Sequence, residues 1–335
     1  MKITAKGAIK YILLLCLGAA LLYFAFRNID WKDFSANLKK CNFVWVAAMF
    51  LLCWLINFLR GCRWRLLILP FSPGVSRLEA YDGYAICYLS NLALPRSGEV
   101  IRCGVLSGRG HGTFEQVLGT VVLERTWDIV CMFLVAVPLL FIGRFQEFLA
   151  EKLWQPTASS LAEGGLSLIL PLAAAILVIV ALSCLLRKRT ARTRVGKWMA
   201  KVWKGLTDGI RAGFRMKDKW AFFGYSALIW LGHLGTSYMT IRAFDALSYM
   251  NVSDALLLLV VGSLGWLVPV PGGFGVYHSL LTITLMLFYG MSQSDSLLLA
   301  TVSHETQVLQ MFVCGIISLI HLAMAGRGKK KTPTI

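Results

Sequence analysis

The chain has 335 residues, of which 57% are apolar and 15% charged, where a soluble domain of ordinary composition carries about a quarter charged residues. That deficit excludes a water-solvated fold as the organising principle and makes lipid the main solvent. The formal charge of +17 would suit a nucleic-acid binder, but the basic residues are bunched between apolar runs instead of lining one face, so anionic lipid headgroups are the expected partners and nucleic acid is not.

Read in chain order, Lys2, Lys6 and Lys10 precede a first apolar run expected to span at 10–26. No A-x-A-like cleavage site follows, since Tyr23, Phe24 and Phe26 stand there, so an uncleaved helix is expected. A second span at 43–59 returns to Arg60, Arg63 and Arg65, and a third covers 119–142. After a mixed-charge loop with Glu147, Glu151 and Glu163, a fourth at 166–186 leads into a segment, 187–219, holding twelve basic residues against Asp208 and Asp218. Val195, Met199, Val202 and Leu206 recur there at helical spacing, as in a surface-lying amphipathic helix. Spans at 220–241 and 301–325 complete the set, and the tail ends with Arg327, Lys329, Lys330 and Lys331. With about six full crossings the four basic clusters share one side. This predicts a single all-α polytopic domain over 1–335 in a bacterial cytoplasmic (inner) membrane, without a soluble domain and with both termini cytoplasmic.

Two regions do not fit simple crossings. In 80–112, residues 91–99 interrupt the apolar pattern with Asn91, Pro95, Gly98 and Glu99; in 255–290 the interruption is Pro269, Pro271, Gly272, Gly273 and Gly275. Each flank has roughly 10–15 residues, too few for a helix rising 1.5 Å per residue to cross about 30 Å of hydrocarbon. Proline and glycine both disfavour carrying the helix through. Two re-entrant helical hairpins are expected, the first entering from the cytoplasmic side and the second from the opposite side. With flanking spans 43–59 and 119–142 for one, and 220–241 and 301–325 for the other, they form an inverted repeat. Ordinary loops joining four short complete crossings preserve the same charge parity and stay open as the alternative.

Charged residues near these breaks need a reason, because an ionised side chain at a helix centre costs about 2.5–3.5 kcal/mol to insert. Arg96, Glu99 and Arg102 lie in the first hairpin; Glu124, Arg125 and Asp128 follow, with Glu124 and Asp128 one helical turn apart and Arg125 and Asp128 on an overlapping face. One reading is a carboxylate–guanidinium network that fixes hairpin against span. The other is a cavity in which an arginine fork takes a lipid phosphate while the carboxylates orient it. Asn91, Tyr277 and His278 are polar candidates in the same layer, and His304 and Glu305 open the last span. His233 and His321 read as structural.

The glycine-rich 271–275 lacks GxxxxGK[ST] and a surrounding βαβ unit, so nucleotide binding is excluded. No HExxH, GxSxG or ATPase signature is present, the nine cysteines form no CxxC pair, and neither a metal nor another cofactor is expected.

Three motifs, NLALPRSGEVIR at 91–102, LERTWD at 123–128 and PVPGGFGVYHS at 269–279, together resemble the lysylphosphatidylglycerol synthase transmembrane-region, or flippase-like, family over nearly the whole chain. That resemblance implies a membrane module that moves a phospholipid between leaflets, here without the aminoacyltransferase domain to which the family module is attached in some members. The family pattern often places a glutamate just after the PGG-x-G turn, where this chain has His278. The expectation is therefore a flippase or transporter of an anionic phospholipid or polyprenyl-linked lipid. The alternatives are a membrane enzyme modifying a lipid headgroup and a lipid-binding assembly protein, with a membrane or cytoplasmic protein as a further partner at 187–219.

Overall fold

The computed structural model describes residues 31–149 and 217–329, with single positions between 16 and 27. The expected spans at 10–26 and 166–186 and the basic segment up to 216 lie largely or wholly outside the described residues. The chain divides into two compact units, Met1–Val121 with Met216–Ile335, and Val122–Arg215.

In the first unit a short helix, α1 (Trp31–Lys39), precedes α2 (Phe43–Ile68). The side chain of Asn42 accepts from the Val44 N–H and caps the start of α2. This helix runs past the expected end at residue 59 and carries Arg60, Arg63 and Arg65 inside it. Arg60 and Arg63 are buried. The Arg60 guanidinium lies 3.1 Å from His233 Nε2, and Arg63 donates to Ser226 Oγ at 3.3 Å beside the Phe222 ring. Two arginines that read from sequence as a surface topology marker are thus held inside the protein, against α7 (Lys219–Arg242).

The first interruption is a helical hairpin. Helix α3 (Arg77–Ala93) starts at a capping box in which Ser76 accepts from the Glu79 N–H and Glu79 accepts from the Ser76 N–H. It packs against α4 (Gly98–Gly108), and α5 (Phe114–Ala136) follows. The core of this half is built from Trp64, Ile68, Tyr84, Cys103, Leu106 and Val117. Outside the hairpin body, Glu79 also takes Arg109 Nε and His111 Nε2, each at 3.3 Å. Burial alone would raise its carboxyl pKa. The bonds from Ser76, His111 and Arg109 outweigh that and lower it from 4.5 to about 2.

The second half repeats the order. Helix α7 is followed by α8 (Val252–Leu267), capped by Asn251 and Asp254, then a 3-10 turn at Pro271–Gly273, α9 (Val276–Tyr289) and α10 (Gln293–Lys329). Helices α8 and α9 pack on each other around Leu258, Tyr277, Leu281 and Leu285, with Leu299 and Ala300 of α10 closing the cluster. Gly290 ends α9 in the left-handed conformation that lets a helix stop without a Cβ clash. Both expected helix–break–helix patterns are present, with α4 at 11 residues and α9 at 14.

Among the described residues three stretches are long and apolar enough to cross a membrane: Phe43–Ile68, Pro271–Tyr289 taken through its 3-10 turn, and Gln293–Ala325. In the second unit, α5 continues from Val122 to Ala136, a 3-10 turn covers Val137–Phe141, and α6 (Gly143–Leu149) follows, tied back by Gln146 donating to the Leu140 carbonyl at 2.7 Å. The fold is all-α and multi-helical, with at least three candidate membrane-spanning stretches among the described residues.

Candidate functional site

The two interruptions meet. The C-terminal part of α3 packs against the 3-10 turn Pro271–Gly273. A Cβ added to Gly272 would stand 3.3 Å from Leu92 Cδ2 and 2.7 Å from the Phe274 ring. Gly272, Gly273 and Gly275 have φ of 56°, 71° and 79°, so this reversal needs residues without a Cβ for conformation as well as for space.

At the first break, Leu94 is extended, as the residue before Pro95 must be. Arg96 then takes φ 60° and is the one non-glycine residue with positive φ among those described; it is exposed. Ser97 Oγ donates to the Leu94 carbonyl at 2.7 Å. Asn91 spans the break: its Oδ1 accepts from the Gly98 N–H at 2.8 Å and its Nδ2 donates to Glu99 Oε2 at 3.4 Å. Gly98 lies so close to α3 that a Cβ there would fall 2.0 Å from the Cys87 carbonyl oxygen.

The remaining charged candidates belong to both units. Arg102 is fully buried, its guanidinium 4.5 Å from the Trp64 ring centroid and 4.6 Å from that of Tyr84. Its guanidinium faces both rings in the hairpin core. Glu124, Arg125 and Asp128 lie in the second unit, where Glu124 is buried and Arg125 Nη1 is 3.9 Å from Asp128 Oδ2, the i,i+3 pairing expected from their spacing.

At the second break the polar candidates converge on α10. Tyr277 fills the space left by Gly262 and Gly265 of α8, and its hydroxyl lies 2.9 Å from Ser303 Oγ, with Gln307 Nε2 donating to it at 3.5 Å. His304 Nε2 is 2.8 Å from the Gly272 carbonyl oxygen, and its Nδ1 is 3.0 Å from Glu305 Oε1. His278 Nε2 lies 3.5 Å from the same carboxylate oxygen. The His304 ring stacks on Trp266 at 5.2 Å and meets Phe274 edge-on at 5.0 Å. His278 and His304 are buried, whereas Glu305 is 45% exposed.

One donor atom each from His278, His304 and Glu305 therefore falls within 4.8 Å of the others. No metal cluster was expected from the sequence. The grouping depends on α9 packing against α10, and its only linear trace is the His304–Glu305 doublet opening the last span. Trp266 and Phe274, which enclose His304, carry no signal in sequence beyond being apolar. Although His278 stands where the resembled pattern has glutamate, a carboxylate is still present at this place, supplied by Glu305 of the neighbouring helix.

The family described as Lysylphosphatidylglycerol synthase TM region matches residues 9–315. The chain belongs to that family. No curated protein and no solved structure matches it. All three motifs fall inside the match, and two of them build the breaks that meet at Leu92 and Gly272. As a lysylphosphatidylglycerol synthase TM-region protein, the chain is a polytopic membrane protein, consistent with a lipid-handling role in general.

Proposed function

We propose that this protein moves a phosphate-bearing lipid, a phospholipid or a polyprenyl-linked lipid, between the leaflets of a bacterial inner membrane. The observation that carries the reading is the meeting of two helix breaks beside an exposed arginine in a strained backbone conformation. Helix α4, of 11 residues, rises about 17 Å, short of the hydrocarbon thickness; α9, of 14 residues, rises about 21 Å and approaches a crossing length only when the 3-10 turn Pro271–Gly273 is counted with it. In this reading the α3–α4 and α8–α9 pairs are re-entrant hairpins, entering from opposite sides in an inverted repeat, within a chain of about six full crossings with both termini cytoplasmic. Irregular backbone at such depth needs protein or water around it, and a polar cavity for a headgroup supplies both.

The mechanism follows from the first break. Arg96 offers a planar fork to a lipid phosphate, while Asn91 and the Gly98 contact hold the loop that carries it. The lipid tails stay in hydrocarbon as the headgroup passes the breaks. Glu99 orients the loop through Asn91. The Arg125–Asp128 pair of the second unit is a separate phosphate candidate and is tested alone. Downhill exchange needs no energy source; uphill movement would draw on an ion gradient or a partner.

The test is reconstitution of the purified protein into vesicles carrying a labelled anionic phospholipid or a labelled polyprenyl phosphate, with leaflet exchange read by quenching of the outer label. Wild type should accelerate exchange of one of the two, with Arg96→Ala losing most of the gain and Arg96→Lys keeping part of it. Exchange equal to empty vesicles for both lipids refutes the reading. Formation of a modified lipid in detergent, with no vesicle present, would replace it by headgroup chemistry.

A further inference from the structure

Phosphate recognition by Arg96 makes no use of the three donors at the second break. Their hydrogen-bond logic is incomplete as it stands. The Gly272 carbonyl only accepts, so the His304 nitrogen 2.8 Å from it, Nε2, must carry the proton. In the neutral ring, Nδ1 then bears a lone pair, and that lone pair faces Glu305 Oε1 at 3.0 Å. Two acceptors face each other at contact distance, and the arrangement needs either a proton or a metal ion between them. Fixing a ring through the N–H of its far nitrogen on a backbone carbonyl is also the way proteins orient a metal-binding histidine.

The third donor agrees. His278 is 1% exposed, points Nε2 at the same Glu305 oxygen at 3.5 Å, and among the described residues its Nδ1 makes no hydrogen bond. Donor separations of 3.0 and 3.5 Å suit one ion about 2.0–2.1 Å from each donor at angles of about 95° and 120°, close to tetrahedral; the two imidazole nitrogens lie within 4.8 Å of each other, where sharing that ion needs about 4.2 Å or less, so binding draws the rings together by up to about 0.6 Å. Aromatic rings of Trp266, Phe274 and Tyr277 surround His304, and Phe26 lies 6.1 Å from His278. These walls keep competing water from the imidazole side, while the half-exposed Glu305 leaves a coordination position open to solvent or to a ligand oxygen.

We infer that His278, His304 and Glu305 form a binding site for a divalent transition metal of the zinc class, with two imidazoles and one carboxylate as ligands. The site ties the second break to α10 through the Gly272 carbonyl. It stands independently of lipid movement, since it involves none of the residues assigned to the phosphate.

The test is metal content of the full-length, tag-free protein, loaded with Zn2+ in detergent, passed over a desalting column and measured by mass spectrometry. Wild type and Arg96→Ala should each retain about one zinc per chain, and His304→Ala with Glu305→Gln should fall to background. His304→Ala should weaken zinc at least tenfold and more than His278→Ala does, because only His304 has its second nitrogen anchored. Co2+ added to wild type should give visible absorption bands of a low-coordinate site, reversed by excess Zn2+. This readout needs no variant to fold. Wild type retaining no more zinc than the double variant, or showing no Co2+ bands, overturns the metal and leaves a shared proton between His304 and Glu305.

Discussion

Replacing Gly98 by alanine tests whether the first break is held by close helix approach. The new Cβ would sit 2.0 Å from the Cys87 carbonyl oxygen, 2.7 Å from its carbon and 2.9 Å from Asn91 Oδ1. Backbone cannot yield as a side-chain tip does, so α3 and α4 must separate by at least about 1 Å, an overpacking cost of about 1–3 kcal/mol. The same shift breaks the 2.8 Å bond from the Gly98 N–H to Asn91, adding about 1 kcal/mol. The expected loss is about 2–4 kcal/mol, read as a lowered thermal midpoint of intrinsic fluorescence in detergent. Gly104, on the same helix, has nothing within 4 Å of its Cβ position, so Gly104→Ala should stabilise by up to about 1 kcal/mol. Equal midpoints for wild type and Gly98→Ala, or equal losses for the two alanine variants, would refute the reasoning.

Arg96→Gly should raise the thermal midpoint by about 0.5–1 kcal/mol equivalent, because glycine relieves the φ 60° backbone at some cost in unfolded-chain entropy, while lipid exchange falls; a variant losing both would argue against stored strain. Glu79, with its carboxyl lowered to about 2, contributes stability that is complete above about pH 4.5 and drains away as pH falls toward 2. The wild-type midpoint should therefore drop across that window more steeply than that of Glu79→Gln. His321 Nδ1 lies 2.6 Å from the buried Asp82 carboxylate, so His321→Ala should cost about 2–3 kcal/mol by stranding that charge, and adding Asp82→Asn should recover part of it in the double variant's midpoint.

The breaks were legible because proline and glycine act locally: 91–99 and 269–275 contain the observed interruptions, and the expected span at 220–241 differs from α7 by one residue at each end. What depends on distant partners was not legible. The second helix runs nine residues past its expected end because Arg60 and Arg63 find His233, Ser226 and Phe222 about 160–170 positions away, a pairing no linear pattern displays. Arg102 reads from spacing as sharing a helical face with Glu99; spacing cannot say that the rings of Trp64 and Tyr84 also lie against its guanidinium. His278 and Glu305 were each recognisable as polar residues in apolar surroundings, but their assembly with His304 arises only when α9 lies on α10.

Helix α10 touches both hairpins, α3 through Gly315 and the His321–Asp82 pair and α9 through the Tyr277–Ser303 and His278–Glu305 contacts. A Cβ on Gly315 would lie 2.5 Å from Leu89 Cβ, so the two helices cross in close contact there. Glu305 lies about 15 Å from it along the helix axis and His321 about 9 Å on the other side. A rigid tilt of about 5° at that point swings Glu305 by about 1.3 Å and His321 by about 0.8 Å in the opposite sense. One helix thus carries the contacts of both hairpins, and the Leu89 crossing with the His321–Asp82 pair limits how far Glu305 can move with it.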